Sequence, residues 1–518
     1  MPPTRSRPVS GRAPAPSMTA KRVYAAVALG AVVVYLGALW NKFALDDLPI
    51  IALNPLVVQP GGIWRAFSQP YWSADFGGHM YRPLVIAGFA LDALVDGTAW
   101  FHAVNLLWHA GAAVAVAALA RRWLDTAGAF VAGLVFAVHP VHVEAVANVV
   151  GRAELMATLF TLLAVHAALA GRHPAWSAAA LAFGLLSKEN AAVAPALVVW
   201  AWMLGLDRPD RRRMVWLLVG WVIVGAAYAV VRTIVLQPFV GNASVAPMFV
   251  GQSPLAVRLT AVAALADVAR LLVFPLTLRV DYSPNERTAV TSPFDLRFAA
   301  GLLCAVVWAA LLVVAWKRGR KIEAFGLGWI GVAFLPVANL LYPAGFYVAE
   351  RTLYLPSAGL VLAATAALAR LPRERLRLVV ATLCLLGGIR TALRVPKWRD
   401  DHAVTESILD DSPQSYGGYV RMAGVYLERR EPARALATVR IAAGIMDHDP
   451  WVYAIGSVAA FGAGNPGAAD SLIARLERFC SGACAAGYLR YEATMARAHG
   501  YPEVADSLLA RVRRPGTP

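Results

Sequence analysis

The chain has 518 residues, 58% of them hydrophobic and only 15% charged. Soluble domains carry about 25% charged residues and disordered chains bury too little, so both classes are excluded in favour of many membrane spans. Forty-eight Lys and Arg against 32 Asp and Glu leave a charge of +16, but the basic residues cluster in short connections between apolar runs, which marks membrane topology rather than nucleic acid.

Residues 1–22 carry Arg5, Arg7, Arg12, Lys21 and Arg22 among Pro and Ser, and read as a disordered basic cytoplasmic tail. The run 23–40 follows. It ends Leu39-Trp40-Asn41-Lys42 with no small-residue cleavage site, so it reads as an uncleaved first span. Further apolar runs lie at 98–120, 127–141, 153–170, 174–187, 190–206, 214–236, 298–316, 322–341, 352–370 and 376–393. Arg121-Arg122, Arg172-His173, Arg208 with Arg211 to Arg213, the 317–321 stretch and the 370–377 stretch separate alternate pairs. With these on the cytoplasmic side the alternation closes on eleven spans, an all-α polytopic bundle over 23–395. The C-terminal region then lies on the opposite face from the N-terminus. Two stretches, 83–95 and 256–278, do not fit the alternation and read as interfacial or re-entrant helices.

After Arg394 the composition changes: 400–518 is Ala-rich, charged and without a span-length apolar run. Pro432-x-x-Ala435, Pro466-x-x-Ala469 and Pro502-x-x-Ala505 recur at spacings of 34 and 36. Each is preceded by a short helical stretch bearing aromatics. Two helices per period of about 34 is the tetratricopeptide (TPR) geometry, here with a degraded signature. The prediction is a TPR-like solenoid outside the membrane. Of the four cysteines, Cys480 and Cys484 lie here, as a local disulfide or as two small packed residues; Cys304 and Cys384 fall within spans.

The connections on the non-basic side collect ionisable residues, which are costly at the mouths of spans. Asp46-Asp47 directly follows the first span. Such a pair provides a general base for an acceptor hydroxyl or holds a divalent cation, unless it is simply solvated. In Phe136-Ala-Val-His-Pro-Val-His-Val-Glu the spacing is not that of a zinc protease, so no metal site is indicated. His139, His142 and Arg152 suit an anionic ligand, through charge-assisted bonds to phosphate. Glu144 and Glu154 lie in the same stretch. Arg82 in Tyr81-Arg82-Pro83, Lys188 and Glu189 after Ser187, and Glu350, Arg351 and Tyr354 in the 349–356 run complete the candidates for phosphate and sugar binding. His102, Asn105 and His109 share a helical stripe and are expected to bond between helices.

The order of Asp46-Asp47, Tyr-Arg-Pro-Leu (81–84), Phe-His-x-x-Asn-x-x-x-His (101–109), His-Pro-Val-His-Val-Glu-Ala-Val with Gly-Arg-Ala-Glu (139–154), Ser-Lys-Glu (187–189), Val-Asp-Tyr-Ser (280–283), Ala-Glu-Arg-Thr-Leu-Tyr-Leu-Pro-Ser (349–357) and Trp398-Arg-Asp resembles the transmembrane and tetratricopeptide-repeat-containing O-mannosyltransferases. The likeness runs over about residues 40–410 and points to a bacterial relative. It implies a GT-C glycosyltransferase fold, with the active site at the outer membrane interface. It implies a polyprenyl-phosphate sugar donor, typically of mannose, and a hydroxyl acceptor, typically Ser or Thr of a protein. Asp46 or Asp47 would be the base. The expected partners are the lipid-linked sugar, membrane lipid and a polypeptide held by the TPR-like helices; the expected location is an inner membrane with the C-terminal domain periplasmic. Divalent metal is possible without being indicated. A transferase acting on lipid A or cell-wall glycan, or a non-enzymatic scaffold, are the alternatives.

Overall fold

A computed structural model describes residues 19–73, 80–239, 245–282, 284–480 and 482–512. The basic tail expected over 1–22 therefore lies almost wholly outside the described residues, as does Ser283 of the 280–283 motif. Among the described residues every regular element is helical.

Each of the eleven predicted runs contains an α-helix, and so do the two stretches outside the alternation, at Pro83–Asp92 and Pro254–Val273. The lengths differ from expectation. Six helices are long and apolar enough to cross a membrane: Thr98–Ala120, Val149–Leu169, Arg211–Leu236, Leu296–Lys317, Glu350–Leu368 and Arg373–Trp398. A bent pair, Thr126–Ala137 and Pro140–Ala147, meets at 48° and counts as a seventh if it is one span. Pro140 supplies no N–H to continue the first helix, and the chain bends there. The remaining runs give shorter helices, Ala20–Val34, Pro174–Ser187, Ala194–Met203 and Lys321–Phe334, of 15, 14, 10 and 14 residues. All four fall short of the ~20 residues that a perpendicular crossing takes, the first passing at Tyr35 into the tighter turn Leu36–Trp40.

The long helices divide into a centre and a periphery. Between 61% and 72% of the apolar window is buried in Thr98–Ala120, Val149–Leu169 and Glu350–Leu368, against 11–17% in Arg211–Leu236, Leu296–Lys317 and Arg373–Trp398. Trp216, Val222, Leu303 and Leu385 stand out from the outer helices. An apolar belt of this extent is unstable in water and stable against lipid, so the chain is a multi-pass membrane protein. Asp210 and Asp295 cap the N-termini of two of these outer helices, Arg211–Leu236 and Leu296–Lys317, each accepting a backbone N–H at 2.8 Å.

From Asp401 onward seven helices follow, three pairs of them at Tyr416–Glu428 with Pro432–Ile445, Pro450–Gly462 with Pro466–Phe479, and Ala483–Ala498 with Pro502–Val512. Pro432, Pro466 and Pro502, the residues of the 34- and 36-residue spacing, each occupy the first helical position of a second helix, where the missing N–H costs nothing. This region has its own apolar core around Val420, Val439, Val452, Ile473 and Leu508. Cys480 and Cys484 are disulfide-bonded. The region sits on the bundle through Lys42 N–H to Arg399 O at 2.6 Å, Leu45 N–H to Asp401 Oδ1 at 2.8 Å, Ser415 Oγ to Asp281 Oδ2 at 2.6 Å and Gln414 N–H to Glu286 Oε1 at 2.8 Å.

Candidate functional site

The first helix and its extension Leu36–Trp40 lead into a loop carrying the two acids. Asp47 is 1% exposed. Its carboxylate accepts from Val150 N–H at 2.8 Å, Ala44 N–H at 3.2 Å and Val149 N–H at 3.4 Å, clamping the loop to the turn before Arg152–Leu169. Burial pushes the Asp47 carboxyl up to about 7, while the three amides pull the other way. Asp46 is half-buried. Among the described residues no hydrogen-bond donor or ion-pair partner takes its carboxylate. Leu45, just before it, has φ 52, in the left-handed region that a branched residue avoids. The bond from Leu45 N–H to Asp401 holds it there.

Three cations share this end of the bundle. Arg82 donates from Nε and Nη2 to Glu189 Oε2 at 3.3 and 3.1 Å, with its guanidinium 5.1 Å from the Tyr71 ring centroid. Lys188 is ion-paired with Glu154, and Arg351 with Glu144. These are not separate pairs. Arg351 lies in the field of Asp46 and Glu154, Lys188 in that of Arg82 and Arg351, and Arg82 in that of Glu154 and Tyr71. Burial pulls the Lys188 ammonium down and Glu154 opposes it. Arg351 is tied at Nη1, remains a third exposed and lies in the field of the open Asp46 carboxylate. Sequence separations of up to 305 residues thus converge on one rim.

The other candidates are more deeply buried and bond to partners within the bundle. Arg152 is fully buried. It donates to Asn105 Oδ1 at 2.8 Å and Phe101 O at 2.9 Å, pairs with Asp92, and covers Phe89 at 4.6 Å. Asn105 in turn donates to Val149 O at 3.1 Å and Asn148 O at 3.2 Å, so Arg152 braces the turn that Asp47 grips. His139 Nε2 donates to Leu272 O at 2.9 Å while Nδ1 accepts from Val141 N–H at 3.3 Å, which makes it a neutral ring. Ser357 Oγ donates to Tyr354 O, so the 2.7 Å contact to His142 Nε2 places the proton on that nitrogen. His109 Nε2 donates to Ala137 O at 3.0 Å and Nδ1 accepts from Tyr354 hydroxyl at 2.7 Å. His139, His142 and Tyr354 are therefore packing and bonding groups between helices, with no charge to offer an anion.

The acids Glu144 and Glu350 are likewise engaged. Glu144 accepts Arg351 N–H at 2.8 Å as well as its side chain. Glu350 is buried and accepts Arg279 N–H at 2.5 Å and Tyr282 hydroxyl at 3.0 Å. They shape the loop that presents Arg351. The stripe of His102, Asn105 and His109 is buried, and the latter two bond between segments as expected. Sequence reading missed Tyr71, Asp92 and Asp401. Asp92, an acid closing the apolar run 83–91, carried the one signal available; Tyr71 and Asp401 carried none. No group of three or more His, Cys, Asp or Glu among the described residues is arranged to hold a metal ion.

No family model matches the chain. It is 28% identical over 397 residues to a protein O-mannosyl-transferase of Caenorhabditis elegans, covering 74% of this chain and 56% of that protein. Human protein O-mannosyl-transferase TMTC3 is 27% identical over 367 residues, with coverages of 63% and 40%. Drosophila melanogaster Tmtc2 is 34% identical over 323 residues, with coverages of 56% and 33%. The chain spans about half the length of the curated relatives it matches. Among solved structures, Archaeoglobus fulgidus oligosaccharyltransferase overlaps 78% of this chain and 57% of its own, at 15% identity and a TM-score of 0.37, a score too low to establish a shared fold. By sequence, the relatives of this chain are the TMTC protein O-mannosyl-transferases.

Proposed function

We propose that the protein is an integral-membrane glycosyltransferase that moves a sugar, mannose, from a polyprenyl-phosphate donor to a Ser or Thr hydroxyl of a polypeptide. The observation that carries this reading is the division of labour between the two acids: Asp47 is tied to three amides, and Asp46 stands open beside Arg351. The names of the relatives support the reaction class.

The acceptor oxygen attacks the anomeric carbon as Asp46 takes the hydroxyl proton. The bond from that carbon to the phosphate oxygen breaks, the lipid phosphate leaves with the electron pair, and configuration inverts. The second negative charge that develops on the phosphate meets Arg351, Arg82 and Lys188 in a region with little water, where fixed cations act strongly. The step as written uses no metal. The donor's tail lies along the bundle, against Pro83–Asp92.

In this reading all eleven runs cross, the shorter helices extended by adjoining turns such as Leu36–Trp40 and Glu189–Val193, and the rim faces away from the cytoplasm, in a bacterial host the periplasm. The Cys480–Cys484 disulfide supports an oxidising compartment for the C-terminal region. The test is transfer by the purified protein in lipid nanodiscs, with labelled polyprenyl-phosphate mannose and a Thr-containing peptide. Labelled peptide that depends on Asp46 is the expected result; no transfer from this donor to any hydroxyl peptide sinks the reading.

A further inference from the structure

The helical-repeat region does more than rest on the bundle. Between its helices Tyr416–Glu428, Pro450–Gly462 and Ala483–Ala498 and the loop residues Leu45, Leu48 and Pro49 lies a partly open pocket of about 80 Å³. Leu45 and Leu48 flank Asp46 and Asp47, so the cavity abuts the proposed base. Tyr491, in its wall, lies in the field of Asp46.

Its chemistry is uneven. Ile455, Val458 and Met495 make an apolar sleeve. At its side stands Glu492, 3% exposed. The Glu492 carboxyl accepts from Trp451 Nε1 at 3.2 Å and belongs to no ion pair among the described residues. Arg421, the one Lys or Arg in the lining, stacks over Trp451 at 5.1 Å instead of pairing with Glu492. Asp401 and Glu428 add two more acids at the cavity edge. Burial pulls His499 down, so it brings no charge at neutral pH. A buried carboxyl with no cation is costly to ionise, and burial pushes Glu492 up to about 8. A long apolar stem ending in a positive head would fill the sleeve and satisfy the acid together.

We propose that this cavity is a subsite for a basic side chain of the acceptor polypeptide, Lys or Arg, which sets the register of the hydroxyl presented to Asp46. The inference rests on the glycosyltransferase reading and adds the acceptor's chemistry to it: the protein modifies Ser or Thr at a fixed separation from a basic residue. Charge sign argues against an acidic or phosphorylated segment, because three carboxyls line the cavity against one guanidinium.

The test uses full-length protein in nanodiscs and fluorescently labelled peptides of fixed sequence, each with one Thr and one Lys whose separation is varied. Norleucine replaces Lys in a matched set, keeping the stem and removing the charge. Anisotropy reads binding without any need for transfer. Binding should be tightest at one separation, weaken about tenfold with norleucine, and lose that difference in Glu492→Gln. In Ile455→Trp, which fills the sleeve, every peptide should bind with the weak affinity of the norleucine set. Equal binding of Lys and norleucine peptides at all separations, or a Lys preference that survives Glu492→Gln, overturns the subsite. Lys-dependent binding without transfer sustains the subsite and strikes the reaction; transfer indifferent to Lys does the reverse.

Discussion

Two polar layers lie one above the other at the same end of the bundle, and they are made of the same residue types. In the upper layer Asp46, Arg82, Lys188 and Arg351 keep some access to solvent and some unused hydrogen-bonding capacity. In the lower layer Arg152, His109, His142 and Tyr354 are fully buried and bond to Asp92, Asn105, Ser357 and backbone carbonyls. The difference teaches that a charged residue at a span mouth acquires a chemical role through what it lacks in partners. The lower layer is a scaffold, whose bonds hold the 146–150 turn and, through it, the first loop.

The largest effect expected is on the open acid. Asp46→Asn should lower transfer about 10²–10⁴-fold with the thermal midpoint unchanged; wild-type turnover in this variant would erase the contrast between the two acids. Arg152→Met should act on the fold instead. It leaves Asp92 buried and unpaired and should cost about 3–5 kcal/mol, seen as lost detergent stability, and Asp92→Leu in the same chain should recover part of it. If Arg152→Met is stable and merely slow, the guanidinium belongs to the upper layer after all.

A smaller effect sharpens the link between the layers and the repeat region. Asp401→Ala removes the acceptor that keeps Leu45 at positive φ. Turnover should fall about tenfold with peptide KM unchanged, and Asp401→Asn, which still accepts the amide proton, should restore most of it. Equal loss in both variants would mean that charge, and not position, is what Asp401 supplies. The smallest effect is on pH dependence. The folded pKa of Asp47 is raised from 3.8 to about 7, so between those values the folded chain holds a proton that the unfolded chain has released. Stability from this group is therefore present below the lower value and declines as pH rises through the window. Asp47→Asn should flatten the fall in thermal midpoint over that range. An unchanged slope would show that Asp47 is ionised when folded.

Much of this molecule is readable without a structure. Apolar runs locate the six helices that are long and apolar enough to cross among the described residues, because a helix in lipid must be apolar over its length whatever its neighbours are. The spacing of Pro432, Pro466 and Pro502 locates the helix pairs, because proline at the first helical turn is a local preference. Length was less legible: the run at 190–206 holds an α-helix of only 10 residues, preceded by a tighter turn at Glu189–Val193. The surroundings of the candidate site residues were not legible. Lys188 and His142 look alike in sequence, as ionisable groups beside span ends, and only the first sits in the open rim.

Residue types and their periodicity, then, determined by themselves that this chain is helical, membrane-embedded and followed by a paired-helix region, because hydrophobicity and helix-end preferences act over a few neighbouring residues. Tertiary structure alone decided which of two adjacent acids is free, which arginine is a brace, and that a buried Glu492 faces the same loop as Asp46. Those outcomes depend on partners tens to hundreds of residues away, and burial, which sets whether a charge is satisfied or available, is a property of the packed assembly of helices.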